Sequence, residues 1–200
     1  SNEATRWYQL AAEQGYRDAQ YEMARRYHVG SGVPQDDSQS VAWLNKAADL
    51  GHTEAQYAMA VRYFNGTGVP QDYLHARYWC MKAAENGVDE ARLLMARFYL
   101  EALGVERDEA EGVAWVAEAA VQKGKTARQA QAMLGSLFQR GVGVGRDLKM
   151  AYVWYSVAAA NGDGGAPISR DLVAKGLSAD ELDEAQALAG QHFERFNTKS

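Results

Sequence analysis

The side chains best suited to chemistry in this chain of 200 residues are four histidines and one cysteine. Imidazole and thiolate groups bind metals, or act as bases and nucleophiles, when the fold brings several of them together. The histidines form no His-Glu-x-x-His pair and no other metal-ligand spacing. They are His28, His52, His75 and His192. We therefore predict no metal site and no cofactor, and we assign the histidines to solvent or to packing.

The cysteine and the acidic pairs also have structural interpretations. Cys80 follows Trp79, and the sequence places no histidine or acid beside it, so we expect a packed or half-exposed thiol rather than a nucleophile. The pairs Asp36-Asp37 and Asp180-Glu181 stand where helices are predicted to begin, and carboxylates cap helix N-termini. We therefore predict no catalytic residue.

The Gly-Val-Gly-Val-Gly run at 141–145 superficially resembles a phosphate-binding loop. Such loops follow a strand and open a helix, whereas this run follows a predicted helix. It also aligns with turns between helices elsewhere in the chain, so we predict another turn.

Charge and composition exclude further classes of function. The net charge is −5 and the chain has no run of lysine or arginine, so nothing supports binding to nucleic acid. No apolar stretch approaches the length of a membrane-spanning helix, so we predict no membrane insertion.

The elements that position these residues repeat along the chain. The five tryptophans are spaced 36, 36, 36 and 39 residues apart, at Trp7, Trp43, Trp79, Trp115 and Trp154. A small residue precedes each tryptophan by three positions and an alanine pair follows it by four, so these residues share one helical stripe. We call this helix B, expect its tryptophan in the core of the repeat, and expect a left-handed glycine to end it.

A second helix, helix A, precedes each complete helix B. It carries apolar residues at i, i+4 and i+8, as in Ala19, Met23 and Tyr27, and a turn ending in aspartate joins it to helix B. The predicted divisions are 1–16 (helix B of an incomplete repeat), repeats at 17–52, 53–88, 89–125 and 126–163, and capping helices at 164–200. The link from 121 to 129 is three residues longer than the others and is predicted to be a longer loop or an extended helix end.

The pattern Ala-x3-Leu-Gly-x2-Tyr-x2-Gly-x-Gly-Val-x2-Asp, followed by Ala-x2-Trp-x3-Ala-Ala-x2-Gly, is matched from Ala19 to Gly51 and from Ala55 to Gly87. In this the chain resembles the Sel-one-like repeat family, a relative of the tetratricopeptide repeats. The resemblance implies an all-α fold, a right-handed α-solenoid of antiparallel helix pairs. It also implies a non-catalytic scaffold or adaptor for a protein or peptide, often in a bacterial envelope or signalling assembly.

Two points stay open under this resemblance. Family habit favours a periplasmic or envelope location, with the cytoplasm as the alternative. Certain relatives are associated with β-lactam binding, so a binder of cell-wall or β-lactam-type ligands, or a weak hydrolase, is the alternative function. The Ser-x-x-Lys motif of such enzymes does not occur in the chain.

The predicted partner-binding surface is the face of helix A opposite its apolar stripe, where residues vary between repeats. Its members are Tyr21, Arg25, His28, Tyr57, Val61, Phe64, Leu93 and Arg97. An aromatic and aliphatic strip flanked by arginines suits a peptide with apolar anchors and a carboxylate. The alternative is that the tyrosines and leucines pack against the next repeat, which is less expected for arginines.

The two ends differ from the repeats between them. Residues 1–15 hold a helix B without its helix A, so we expect a fragment of a longer protein in which Trp7 lacks its partner and could mediate self-association. Near the other end, Ser178 and Glu181 have the spacing of a capping box before an amphipathic helix, which is predicted to cap the array.

Overall fold

A computed structural model describes residues 2–197, which form eleven α-helices and no strand. In chain order they are α1 (Asn2–Glu13), α2 (Arg17–Val29), α3 (Asp37–Asp49), α4 (Thr53–Asn65), α5 (Tyr73–Glu85), α6 (Asp89–Leu100), α7 (Glu109–Ala120), α8 (Lys125–Arg140), α9 (Leu148–Ala160), α10 (Ala166–Ala174) and α11 (Ala179–Asn197). The predicted all-α solenoid class is confirmed. Within the described residues, no helix combines the length and the apolar character that a membrane span requires.

The chain divides into two compact units, the first ending at Ala91 and the second beginning at Arg92. In the first unit α2 and α4 are helix A, and α1, α3 and α5 are helix B; Ala12, Ala19 and Met23 form a buried cluster between α1 and α2. In the second unit α6 and α8 are helix A, α7 and α9 are helix B, and α10 and α11 pack against α9. Small side chains on the stripes allow this close approach of neighbouring helices.

The predicted turn chemistry is confirmed at the start of helix B. An aspartate side chain accepts a hydrogen bond from a backbone N–H of the first turn in α3, α5, α7 and α9. These N-caps are Asp36, Asp72, Asp108 and Asp147. Each satisfies one of the N–H groups that the first helical turn leaves without an intrahelical partner.

The end of helix A needs a left-handed residue, which is glycine in three of the four repeats. Gly30, Gly66 and Gly141 have φ values of 71° to 72°. Ala102 stands at this position after α6 with φ 56°, the one positive φ outside glycine in the described residues. A methyl group makes this conformation costly, so the third turn is strained.

The longer third link extends a helix rather than a loop. Helix α8 has 16 residues, whereas α2 and α4 have 13. The additional residues precede the alanine that begins the apolar stripe, Ala130, so the core register of the repeat is unchanged. This confirms the second of the two interpretations of the link.

The prediction that every complete repeat buries its tryptophan is only partly right. Trp79 and Trp154 are buried, with 5% and 7% of their surface exposed. Trp43 and Trp115 are half-buried at the edges of their clusters. The ammonium group of Lys46 lies 4.1 Å from the centroid of the Trp43 ring, so one face of this indole contacts a cation rather than the core. Spacing places a tryptophan on the correct stripe but does not determine how completely its neighbours cover it.

Three buried glutamines hold helix A against the preceding helix B. Each Nε2 donates to a main-chain carbonyl at the end of that helix. The pairs are Gln20 with Ala12 (3.1 Å), Gln56 with Ala48 (3.3 Å) and Gln131 with Ala120 (2.9 Å). Helix ends have unpaired carbonyls, so the glutamine satisfies one of them where water is excluded.

The side-chain carbonyl oxygen, Oε1, accepts a hydrogen bond in only two of these three glutamines. Oε1 of Gln56 accepts from Asn86 at 3.0 Å, and Oε1 of Gln131 accepts from Asn161 at 2.9 Å; both asparagines are the C-cap residues of the following helix B. The corresponding C-cap of α3 is Leu50, which has no side-chain donor. Oε1 of Gln20 is therefore buried without a partner.

The predicted capping box at the start of α11 is confirmed. The backbone N–H of Ser178 donates to Glu181 Oε2 at 2.9 Å, and the N–H of Glu181 donates to Ser178 Oγ at 3.3 Å. Ala185 of α11 is buried with Ala151 of α9, and Lys149 Nζ lies 2.8 Å from Glu184 Oε2. The helix thus packs over α9, and its role as a cap of the array remains a prediction.

Candidate functional site

A cleft of about 460 Å³ lies in the first unit, between the two helix A elements α2 and α4, with α3 beneath them. Five of the eight predicted binding residues line it. They are Tyr21, Arg25 and His28 from α2, and Tyr57 and Val61 from α4. The helical repeat brings them together because both helices present the same face, on which residues three or four positions apart lie side by side.

The two tyrosines form aromatic walls of this cleft. Both are half-buried, and burial raises the pKa of each phenol above its ordinary value. The Tyr21 ring lies against the His52 ring, with 4.3 Å between the ring centroids. Phenols with raised pKa values remain protonated at neutral pH, so both tyrosines offer an apolar face and a hydrogen-bond donor.

A buried arginine provides the polar part of the cleft. Arg62 exposes only 8% of its surface and donates to Ser40 Oγ at 2.9 Å and to the Thr67 carbonyl at 3.3 Å. Asp37 Oδ1 lies 3.6 Å from Arg62 Nη1 and 3.0 Å from His28 Nδ1. The hydrogen bond with His28, and then the charge of Arg62, hold the pKa of Asp37 below its ordinary value. One carboxylate is thus shared between a histidine and an arginine.

The cleft lacks the hydrogen bond that activates a nucleophile. Ser40 Oγ donates to the Ala24 carbonyl at 2.8 Å and accepts from Arg62, while His28 pairs with Asp37 rather than with the serine. Nucleophilic catalysis requires a base within hydrogen-bond reach of the attacking hydroxyl. Among the residues that the structure describes, no group of three or more His, Cys, Asp or Glu side chains could hold a metal ion.

The other three predicted residues lie outside this cleft. Phe64 packs edge-on against Tyr73, with 5.4 Å between ring centroids. Leu93 packs against the core cluster of the second unit, which favours the structural alternative for this residue. Arg97 is exposed and forms an ion pair with Glu101 at 3.0 Å. Their role in partner binding remains a prediction.

The corresponding position in the second unit carries different side chains. Leu100 occupies the repeat position of His28, and Gly112 that of Ser40. A Cβ atom added to Gly112 would lie 2.6 Å from Leu100 Cγ, so the leucine side chain lies directly against this glycine. His28 and Ser40 thus line the cleft in the first unit, whereas Leu100 packs over Gly112 at the same repeat positions of the second unit.

Arg62 was not among the residues predicted from the sequence. Its repeat position reads Arg26, Arg62, Phe98 and Leu137, and the last two are buried apolar residues. Arginine at a position where other repeats carry core residues is the signal that could have identified it, because buried arginine requires specific partners.

Comparison with known proteins identifies the repeat. The Sel1 repeat family model matches residues 1–16, 17–52, 53–88, 89–122 and 128–163. A Sel1 repeat protein from Oxalobacter formigenes is 35% identical, with a TM-score of 0.71 over 83% of this chain and 48% of that one. A protective antigen of uropathogenic Escherichia coli with an SLR fold is 24% identical, with a TM-score of 0.52 over 96% of this chain and 56% of that one, which supports the fold alone.

The chain spans about half the length of these two proteins. No curated protein is significantly similar to it. Sel1 repeats are generally protein–protein interaction modules, and their fold is generally a non-catalytic scaffold. With repeats matched over most of its length, the chain belongs to the Sel1 repeat family.

Proposed function

We propose that this chain is a non-catalytic scaffold that holds a peptide segment of a partner protein in the cleft between α2 and α4. The observation that carries the proposal is the cleft itself, about 460 Å³ with mainly apolar walls and a buried arginine. Binding sites of this kind combine apolar lining with a few fixed polar groups. Apolar anchors of the peptide contact Tyr21, Tyr57 and Val61, and polar groups of the peptide contact the arginines.

Two features make a peptide the better occupant than a reacting substrate. The cleft runs along parallel faces of two helices, which suits an elongated ligand. The hydroxyl of Ser40 donates its hydrogen bond to a main-chain carbonyl rather than to a base. The hydrolase alternative therefore has no activated serine in this cleft. A turnover assay with muropeptide and β-lactam substrates tests that alternative, and sustained hydrolysis abolished by Tyr57→Ala would favour it.

The binding proposal is tested with peptides of twelve residues selected from a displayed library against the intact chain. We expect the selected peptides to bind wild type and to lose about ten-fold or more in affinity on Tyr57→Ala, because a central aromatic contact is removed. The matched control is Tyr78→Ala, since Tyr78 is an exposed tyrosine of α5 outside the cleft. Circular dichroism confirms that both variants fold. Equal loss in the two variants, or no loss in either, would contradict the cleft assignment.

The cellular context belongs to the same proposal. We place the scaffold in the periplasm or at the bacterial envelope, on the habit of the family that the repeats resemble. Fractionation of cells that express the full-length protein tests this location, and recovery with cytoplasmic markers would contradict it.

A further inference from the structure

Two arginines in the first unit have the same position in the repeat and nearly the same hydrogen bonds. Arg26 and Arg62 are 36 residues apart. Nη1 of Arg26 donates to Thr5 Oγ1 at 2.8 Å, and Nη2 of Arg62 donates to Ser40 Oγ at 2.9 Å. Each guanidinium thus binds a hydroxyl of the preceding helix B. The two arginines can be compared directly, although Thr5 stands one residue after Ala4, the residue that aligns with Ser40.

The copies differ one helical turn earlier, at the residue that should neutralise the arginine. Glu22 precedes Arg26 by four residues, and its Oε1 lies 3.1 Å from Arg26 Nε, while its Oε2 pairs with Arg25 Nη1 at 3.2 Å. The N–H of Nε is not aligned for a hydrogen bond to this oxygen, so the pair is held by charge. The corresponding residue before Arg62 is Ala58, which has no charge and lines the cleft.

Arg62 is therefore only partly neutralised by its own chain. Among the described residues, its one carboxylate partner is Asp37, at 3.6 Å and shared with His28. Its guanidinium donates to Ser40 and Thr67 and lies 3.6 Å from this carboxylate, whereas a guanidinium carries five N–H donors. A cation whose side chain is about nine-tenths buried is costly without a close counter-ion. The space above the Ala58 methyl group is open to the cleft.

We propose that an acidic side chain of the bound peptide fills this space and pairs with Arg62, as Glu22 does with Arg26. This inference rests on the proposed peptide binding in the cleft and specifies the ligand chemistry. Tyr57 and Val61 of α4 and Leu44 of α3 line the cleft together with Ala58, and so does Glu54, one helical turn before Ala58. An internal Asp or Glu beside large apolar residues places one carboxylate at Arg62 and apolar side chains on this lining.

The substitution Ala58→Glu tests the inference, because it places the chain's own carboxylate where the ligand's is expected. The matched control is Ala58→Gln, which has the same shape without the charge. The probes are peptides of twelve residues selected from a library displayed without a free carboxyl terminus, then synthesised with amidated ends. We expect an internal acid beside apolar residues in these peptides. We also expect Ala58→Glu to weaken their binding about ten-fold or more relative to Ala58→Gln, as for loss of a charged hydrogen bond.

A second pair of variants separates Arg62 from its copy. Arg62→Met should weaken binding of the acidic peptides by about ten-fold or more, while replacing the peptide acid by its amide should cost little further in this variant. Arg26→Met should leave binding unchanged, because Arg26 already has Glu22 and does not line the cleft. Circular dichroism shows whether the methionine variants fold; if Arg62→Met does not fold, Ala58→Glu against Ala58→Gln decides alone.

Each other outcome counts against one specific proposal. Selected peptides that need Tyr57 but contain no acid would overturn the carboxylate inference and leave the peptide scaffold standing. Binding that requires a free peptide carboxyl terminus, or equal binding by Ala58→Glu and Ala58→Gln, would also overturn it. Failure to select any peptide that depends on Tyr57 would overturn the proposed function itself.

Discussion

The substitution Leu50→Asn should stabilise the protein, although it replaces an apolar residue with a polar one. Oε1 of Gln20 is buried without a partner, and Leu50 stands where Asn86 and Asn161 donate to the corresponding glutamines. An asparagine at the C-cap of α3 should place its Nδ2 within hydrogen-bond distance of Gln20 Oε1. The distances in the other two repeats, 3.0 and 2.9 Å, show that the repeat geometry permits this bond.

The magnitude follows from two opposing contributions. Pairing a buried acceptor removes a penalty of about 1–3 kcal/mol. Leu50 is 51% exposed, so its replacement forfeits half of the burial energy of a leucine, roughly 1 kcal/mol. The expected gain in the free energy of unfolding is about 1 kcal/mol, or ~2–4 °C in Tm for a chain of 200 residues.

Urea unfolding followed by circular dichroism measures this gain from the midpoint at constant slope. Leu50→Ala controls for loss of the leucine and should destabilise. A double-mutant cycle with Gln20→Met isolates the new hydrogen bond, because Leu50→Asn should give no gain where no amide is present. The reverse change, Asn86→Leu, should destabilise by about 1 kcal/mol since it leaves Gln56 Oε1 without its donor. A Leu50→Asn variant no more stable than Leu50→Ala would refute the reasoning.

Three further predictions concern single positions. Ala102→Gly should raise the free energy of unfolding by about 0.5–1 kcal/mol, because glycine adopts the φ of 56° without strain; an unchanged urea midpoint would show that the turn is unstrained. The backbone N–H of Ser178, and then its side chain, donate hydrogen bonds to Glu181 and hold the pKa of this carboxyl below its ordinary 4.5. The stability that these bonds contribute is present above pH 4.5 and is lost as the pH falls through the lowered pKa. Glu181→Gln should therefore be less stable than wild type at neutral pH, with the difference shrinking in acid; a constant difference from pH 7 to pH 3 would contradict this. Trp7 is 65% exposed, so any concentration-dependent dimer seen by sedimentation should disappear in Trp7→Glu, and a dimer that persists must use another surface.

Repetition made much of the fold predictable. The helix boundaries follow from features within a few residues of one another, such as Asp36 at the start of α3 and the capping box of Ser178 and Glu181. The face of helix A that lines the cleft was also predictable, because four-residue steps place Tyr57 and Val61 on one side of α4. Leu93 shows the limit of this reasoning, since the same face can pack against a core.

The sequence by itself determined the helices, their caps and the repeat register, because these depend on local hydrogen bonds and on periodic apolar positions. Only the tertiary structure decided how far each tryptophan is covered, that Leu100 packs over Gly112 whereas Ser40 lines a cleft, and that Gln20 lacks the donor its copies have. Burial and pairing of this kind depend on side chains from neighbouring helices 12 to 30 residues apart. In the sequence, Arg26 and Arg62 share one repeat position. Only the structure shows that Arg62 is a partly neutralised cation beside an open cleft.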